Sequence, residues 1–116
     1  FQESGKATVT KTIFKKVENY IKSEIVKCKL GETRVFSNNL NCAGRTGSQA
    51  VRAAEQALRN IKNPYNTSQN AVVLGDSYIK GMVYITASNQ NIILHVCYKE
   101  SCGNDANKDG VIININ

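Results

Sequence analysis

The sequence has one histidine and no long hydrophobic run, and each scarcity excludes a class of protein. With His95 alone, the two-histidine acid–base arrangement of many small secreted ribonucleases is excluded. No segment approaches the roughly 20 consecutive apolar residues that span a bilayer as a helix. The motifs GxGxxG, GxxxxGK(S/T), HExxH and GxSxG do not occur, and no nucleophile and base can be grouped with His95 from the sequence. We therefore predict that the chain is not an enzyme.

Length and charge narrow the class further. A chain of 116 residues is long enough for one domain with a single modest core. Its net charge is +6, and most of the basic side chains lie in residues 1–62. This asymmetry is consistent with an anionic partner, but charge by itself determines solubility and non-specific binding rather than a site. The solvated faces of two helices would produce the same asymmetry, and we favour that interpretation.

The chain contains 4 cysteines, which stand at positions 28, 42, 97 and 102. Zinc sites usually bring cysteines in at close CxxC-like spacing, often with histidine partners, and this chain has neither. We therefore predict disulfides, which persist in an oxidising compartment. Four cysteines leave three connectivities open, and we favour the two local pairs, Cys28–Cys42 and Cys97–Cys102.

Apolar residues recur at helical spacing over residues 4–27 and predict a long amphipathic helix. They fall within an arc of roughly 160° on a helical wheel, and Gly31 is a plausible stop. The residues on this apolar face are Val9, Ile13, Phe14, Val17, Tyr20, Ile21, Ile25 and Cys28.

Residues 29–47 are rich in Gly, Ser and Asn and predict an irregular connection, which the pair Cys28–Cys42 would restrain. A second, alanine-rich helix is expected from Ser48, as N-cap, through Ile61. Pro64 then ends it, because proline disfavours helical backbone at the residue before it.

The hydrophobic period changes to that of strands after residue 70, with the turn signal Ser88-Asn89-Gln90-Asn91 inside this region. The last strand should have one wet face, because its apolar residues alternate with polar ones. The predicted fold is α+β: a long N-terminal amphipathic helix packed on a 3-4 stranded antiparallel sheet, with a short second helix and two disulfide-closed loops. The predicted strands are residues 71–74, 81–87, 92–98 and 111–116.

One local motif predicts a metal site. The segment Asp105-Ala106-Asn107-Lys108-Asp109-Gly110 matches D-x-N-x-D-G, in which alternate oxygens converge on calcium. Position twelve of such a loop would be Asn116 instead of the bidentate glutamate, so a true EF-hand is excluded. Calcium at Asp105, Asn107 and Asp109 remains one reading, and an ordinary tight turn is the other.

Basic residues of the first half predict a possible anion or DNA contact. Gly44-Arg45-Thr46-Gly47-Ser48 before a helix could approach a phosphate, although a loop that leads into a helix cap has the same composition. The candidate contact residues are Arg34, Arg45, Arg52, Arg59 and Lys62.

The order of these elements resembles the periplasmic domain of a bacterial type IV pilin that lacks the N-terminal hydrophobic half of its long helix. The matching pieces are the helix through Tyr20-Ile21-Lys22-Ser23-Glu24 into Cys28, the connection to Cys42, Asn63-Pro64-Tyr65 before the sheet, and the loop Cys97–Cys102. The prepilin-peptidase site that characterises the family is not among these residues, and Phe1-Gln2-Glu3-Ser4 does not continue into an apolar segment.

This resemblance implies a division of the chain and a set of partners. Residues 1–27 would be the C-terminal half of the long helix, 28–70 the stapled loop and short helix, and 71–116 the sheet and C-terminal disulfide loop of one domain. A preceding segment would anchor the subunit in the inner membrane and pack in the core of a helical filament of identical or related pilins at the cell surface. In related pseudopilins a C-terminal loop binds calcium, which bears on Asp105, Asn107 and Asp109.

Three functions follow as expectations. The first is a structural, non-catalytic pilus subunit that supports surface attachment, motility or adhesion, without a cofactor unless calcium binds. The second is a DNA-binding minor pilin for DNA uptake, which would show a steep salt dependence. The third is a small secreted basic enzyme or toxin, which would need a cleft with perturbed ionisable groups.

Overall fold

A computed structural model describes residues 3–116, and it begins with a long helix, α1 (Glu3–Lys29). No glycine or proline interrupts the chain between Lys6 and Lys29, so the helix continues for 27 residues, about 40 Å. It ends at Gly31, as predicted: the backbone φ there is 102° and the Glu32 N–H donates to the Lys27 carbonyl. Phe1 and Gln2, which the prediction included in the domain, lie outside the described residues.

The buried positions of α1 alternate at steps of three and four, which lays one face of the helix on the body of the protein. This confirms the predicted amphipathic helix. Val9 is the exception, because it lies at the edge of the predicted arc and is 42% exposed. The side chains buried or half-buried along this face are Ala7, Thr10, Ile13, Phe14, Val17, Glu18, Tyr20, Ile21, Glu24, Ile25 and Cys28.

The segment predicted as wholly irregular contains a small hairpin, β1 (Arg34–Val35) and β2 (Leu40–Asn41). The turn between these strands holds Phe36, Ser37 and Asn38 at φ values of 56°, 55° and 67°. Three consecutive non-glycine residues in the left-handed region are unusual, so the turn depends on contacts from the rest of the protein.

The second helix, α2 (Gly47–Ala57), has its N-cap two residues before the predicted cap, Ser48. Thr46 is the N-cap, because its hydroxyl accepts the Gln49 N–H while the Gln49 side chain accepts the Thr46 N–H. The helix also ends earlier than expected, at the cap residue Leu58. The chain around Pro64 then forms a second unpredicted hairpin, β3 (Lys62–Asn63) and β4 (Asn66–Asn70).

The main sheet has four strands in chain order: β5 (Val72–Leu74), β6 (Val83–Ser88), β7 (Asn91–Cys97) and β8 (Lys108–Asn114). β6, β7 and β8 are antiparallel, as predicted. The prediction of a wholly antiparallel sheet is wrong at β5, which runs parallel to β6.

The parallel pair arises because residues 75–82 do not form a tight hairpin but carry the chain back to the start of β5. The Val83 N–H then donates to the Ala71 carbonyl, and the Gly75 N–H donates to the Ile85 carbonyl. Gly81 permits this return: its φ is 82°, and a Cβ there would lie 1.9 Å from the Asn63 amide oxygen.

Both helices and one face of the sheet enclose a single core. On β8 the predicted alternation is confirmed, because Ile113 and the following Ile115 are buried whereas Ile112 is 65% exposed. The molecule measures 44 × 24 × 19 Å. α1 therefore runs along most of the long axis, and its first and last turns lie at opposite ends of the molecule.

Candidate functional site

Each disulfide joins a cysteine to the next cysteine along the chain, which is the connectivity that we favoured from the sequence. Cys28–Cys42 ties the last turn of α1 to the residue after β2, and Cys97–Cys102 closes a loop after β7. Within residues 3–116 no cysteine is free. All four cysteine sulfurs are thus in disulfides, and none is free to serve as a metal ligand or nucleophile.

The predicted calcium residues have separate partners. Asp105 begins a short 3-10 helix (Asp105–Asn107), and its fully exposed carboxylate lies 3.7 Å from the Lys108 ammonium. Asn107 is buried, and its side-chain amide donates to the Ser101 carbonyl. Asp109 accepts the Tyr98 hydroxyl at 3.1 Å. Calcium stays a prediction; among the residues described, no group of three or more His, Cys, Asp or Glu side chains is arranged to hold a metal ion.

Four of the five basic residues proposed as anion contacts bond to nearby parts of the protein. Arg34 bonds across its hairpin to Asn38 and Asn41. Arg45 donates to the carbonyls of Cys42 and Ile115, both at 2.9 Å.

The other three residues of this set lie on α2 or just after it. Arg59 pairs with Glu55, and Lys62 donates to Asn70 at 2.6 Å. Arg52 is exposed. These residues lie on several elements and four of them bond to other parts of the protein, and the anion or DNA contact stays a prediction.

His95 lies on the face of the sheet opposite the core. Its Nδ1 is 2.8 Å from the Asp76 carboxylate, although not in hydrogen-bond geometry, and the Tyr78 ring stacks on the imidazole at a centroid distance of 4.9 Å. The Lys108 ammonium lies 4.8 Å from the centre of the Tyr78 ring. Burial and the charge of Asp76 raise the pKa of the Tyr78 hydroxyl. This stacked group covers the outer face of the sheet at His95, where the Asp76 carboxylate and the Tyr78 ring contact the imidazole.

Sequence reasoning missed Glu24, a buried carboxylate that holds the left-handed turn. One carboxylate oxygen accepts the Phe36 N–H at 2.6 Å, and the other accepts the Lys27 ammonium at 2.6 Å. The hydrogen bond from Lys27 to Glu24 raises the pKa of the Lys27 ammonium. Tyr20 meets the Phe36 ring edge to face at 5.8 Å. The signal in the sequence was the position of Glu24, in step with the buried residues of α1.

Apolar side chains are exposed around a cavity between α1 and β8. Val26 is 47% exposed and Ile112 is 65% exposed. The cavity measures about 330 Å³ and is flanked by Lys22 and Lys29. β8 has no strand partner on its outer side among residues 3–116, so this groove joins an apolar surface to a free sheet edge.

A second unpredicted surface surrounds two tyrosines at the opposite end of α1. The Tyr65 hydroxyl donates to the Tyr98 carbonyl, which brings the two residues together. Lysines from α1, from the loop before β6 and from the loop after β7 surround them. We name this the lysine–tyrosine surface; it consists of Lys6, Lys11, Tyr65, Lys80, Tyr98 and Lys99.

No described helix is long and apolar enough to cross a membrane. Comparison with known proteins finds no matching family model, curated protein or solved structure.

Proposed function

We propose that this chain is the globular domain of a type IV pilin and works as a structural, non-catalytic subunit of a pilus filament. The observation that carries this proposal is α1, which runs for 27 residues along the molecule and packs one face on a disulfide-braced α+β body. Because this helix runs along most of the long axis of the molecule, it can contact neighbouring subunits at both of its ends. The fold alone does not establish a function, so the assembly must be tested.

The exposed apolar groove between α1 and β8 supports the proposal. Exposed apolar side chains that gather around a cavity are typical of surfaces that another protein covers. Val26 and Ile112 are both about half exposed or more, and each neighbours buried core residues, Ile25 and Ile113. In a filament, an adjacent subunit would cover this groove.

The pilin proposal also includes a location and a membrane partner. A preceding apolar helical segment, upstream of Phe1, would hold the subunit in the inner membrane before assembly and pack in the filament core afterwards. The domain described here would then lie at the filament surface outside the cell, where disulfides persist. DNA binding and a small secreted enzyme or toxin stay predictions.

The decisive experiment locates the protein in its native cells. Surface appendages are sheared from the cells, purified and labelled with an antibody raised against residues 3–116. We expect the antibody to label filaments along their length, and loss of the gene to remove these filaments or their label. A protein found only as a monomer in the medium or periplasm would overturn the proposal.

A pair of groove substitutions tests the assembly surface. Val26→Asp with Ile112→Asp should reduce filament yield, because it places charges where a neighbouring subunit packs. The fold should be kept, since both side chains are exposed. Thr67→Asp on the exposed strand β4 is the control and should leave the yield closer to that of the wild type.

A further inference from the structure

We infer that the lysine–tyrosine surface binds the phosphate groups of anionic phospholipids. Its two rings hold three ammonium groups close together. The Lys6 and Lys80 Nζ atoms lie 5.7 and 4.9 Å from the centre of the Tyr65 ring, and the Lys11 Nζ lies 5.2 Å from the centre of the Tyr98 ring.

A cavity lies beside this cluster of charges. It measures about 310 Å³, and Lys11, Tyr98 and Lys99 line it together with the hydroxyl-bearing residues Ser4 and Thr8. The Thr8 hydroxyl donates to the Ser4 carbonyl, so the cavity offers a ligand the Ser4 hydroxyl and the ammonium groups of Lys11 and Lys99. Charged donors of this kind bind phosphate oxygens.

Among the side chains that the structure describes, the four lysines of this surface form no ion pair, unlike several other basic residues. Ion pairs engage Lys15, Lys22, Lys27, Arg59 and Lys108. None of the four lysines of the surface forms one with any carboxylate that the structure describes.

Two acidic side chains beside Tyr98, in space or in sequence, have hydrogen-bond partners. Asp109 accepts the Tyr98 hydroxyl, and Glu100 accepts the Cys102 N–H at 3.3 Å. Both carboxylates keep their negative charge, but neither forms an ion pair with the four lysines of the surface.

The side-chain types favour a membrane surface over a nucleic acid. The tyrosine rings already contact lysines, and Tyr65 also bonds to the Tyr98 backbone, so these rings are poorly placed to stack on bases. The surface has no arginine for bidentate recognition of base edges. Lysine and tyrosine are instead the residues that settle at a lipid headgroup layer, with apolar stems and rings below a polar tip.

The position of the surface fits the same ligand, and this step rests on the proposed function. Lys6 and Lys11 lie on the first turns of α1, at the end of the 44 Å long axis opposite Cys28. If α1 continues from an inner-membrane segment, this end faces the bilayer before assembly. The surface would then hold the domain against anionic headgroups, which attract each nearby lysine.

Vesicle co-sedimentation tests the inference with the chain of 116 residues itself. We expect binding to phosphatidylcholine vesicles that contain phosphatidylglycerol, little binding to pure phosphatidylcholine, and weaker binding as salt rises. Changing Lys6, Lys11, Lys80 and Lys99 to Gln should weaken partitioning on the order of a hundredfold, because each lysine contributes several-fold near an anionic surface.

The matched control removes the same number of charges from elsewhere. It carries Lys16→Gln, Lys29→Gln, Arg52→Gln and Lys62→Gln, all at exposed positions. Thermal unfolding verifies that both variants fold. If the control loses as much binding as the surface variant, net charge explains the binding and the inference is wrong.

Two competition arms identify the source of the phosphate. Inorganic phosphate equal to the lipid phosphate should not displace the vesicles, and displacement would indicate a small-anion site instead. Duplex DNA should bind more weakly than the vesicles. Tighter DNA binding with the same dependence on the four lysines would overturn the lipid assignment.

The outcomes separate this inference from the pilin proposal. If the protein is labelled in filaments but does not bind anionic vesicles, only the lipid site is disproved. A chain that binds vesicles through the four lysines but is absent from filaments would disprove only the pilus assignment.

Discussion

Glu24 shows how much of this fold depends on a single side chain. It is buried on α1, and each oxygen of its carboxylate accepts a hydrogen bond, one from the Phe36 N–H and the other from the Lys27 ammonium. The turn that Phe36 begins has three residues with positive φ. Such backbone costs free energy at each non-glycine residue, so the contact with Glu24 offsets part of that cost and fixes the hairpin against α1.

We expect Glu24→Ala to lower the free energy of unfolding by about 1–3 kcal/mol, because it leaves the buried Phe36 N–H without an acceptor. Urea denaturation followed by circular dichroism measures the change. Glu32→Ala is the control: Glu32 is exposed, so its loss should change the free energy by less than about 0.5 kcal/mol. Equal effects of the two substitutions would show that the carboxylate contact does not hold the turn.

At the scale of elements, the two disulfides constrain loops of different length. Cys28–Cys42 has a sequence separation of 14 and ties α1 to the hairpin β1–β2. Cys97–Cys102 has a separation of only 5 and closes the loop that follows β7. A cross-link lowers the entropy of the unfolded chain more when it closes a longer loop.

Replacing both cysteines of a pair with serine should therefore destabilise the protein unequally. We expect about 3 kcal/mol for Cys28→Ser/Cys42→Ser and about 2 kcal/mol for Cys97→Ser/Cys102→Ser. Urea denaturation of the two variants at neutral pH compares the losses directly. A larger loss from the shorter loop would contradict the chain-entropy explanation and indicate that native contacts around Cys97 dominate.

The whole molecule has ionisable groups that limit its stability at both ends of the pH scale. At the acid end, the hydrogen bond from Lys22 lowers the pKa of Glu18 below 4.5. At the alkaline end, burial and the nearby Asp109 raise the pKa of Tyr98 from 10.0 to about 12. The native state thus favours the charged form of Glu18 and the neutral form of Tyr98.

These pKa directions predict a plateau of stability with two arms. The contribution of Glu18 is present above pH 4.5 and is lost as pH falls through its lower native pKa. The contribution of Tyr98 is present below pH 10.0 and is lost as pH rises to about 12. Thermal unfolding across this range should show Glu18→Gln with a flatter acid arm and Tyr98→Phe with a flatter alkaline arm. If stability depends on pH in both variants as it does in the wild type, Glu18 and Tyr98 are not the groups that limit it.

Local patterns in the chain were enough to predict much of the architecture. The spacing of apolar residues located α1 and its buried face, and Gly31 marked where it ends. On β8 the alternation of Ile112 and Ile113 distinguished the wet side from the core side. Cysteine separation favoured the two observed disulfides. Each of these features repeats at the period of one helix or strand, or lies within a short loop, so neighbouring residues contain the information.

Some errors were small because competing local signals were close in strength. Thr46 and Ser48 are both good cap residues, and the choice between them was made by Gln49, which completes a reciprocal pair of hydrogen bonds only with Thr46. Val9 lay at the edge of the apolar arc, where a small rotation of the helix decides whether a side chain faces the core or water.

The sequence by itself determined the two helices and the strands of the main sheet, which of their faces are apolar, and that the cysteines close loops. It did not predict the two short hairpins, β1–β2 and β3–β4. Only the tertiary structure decided that β5 runs parallel to β6, that Glu24 caps a distant turn, and that four lysines from three segments surround Tyr65 and Tyr98. The physical reason is the sequence separation between the residues that interact. A helical or strand period is set by residues a few positions apart, whereas strand direction, buried hydrogen bonds and surface charge clusters depend on which remote segments the shared core brings together.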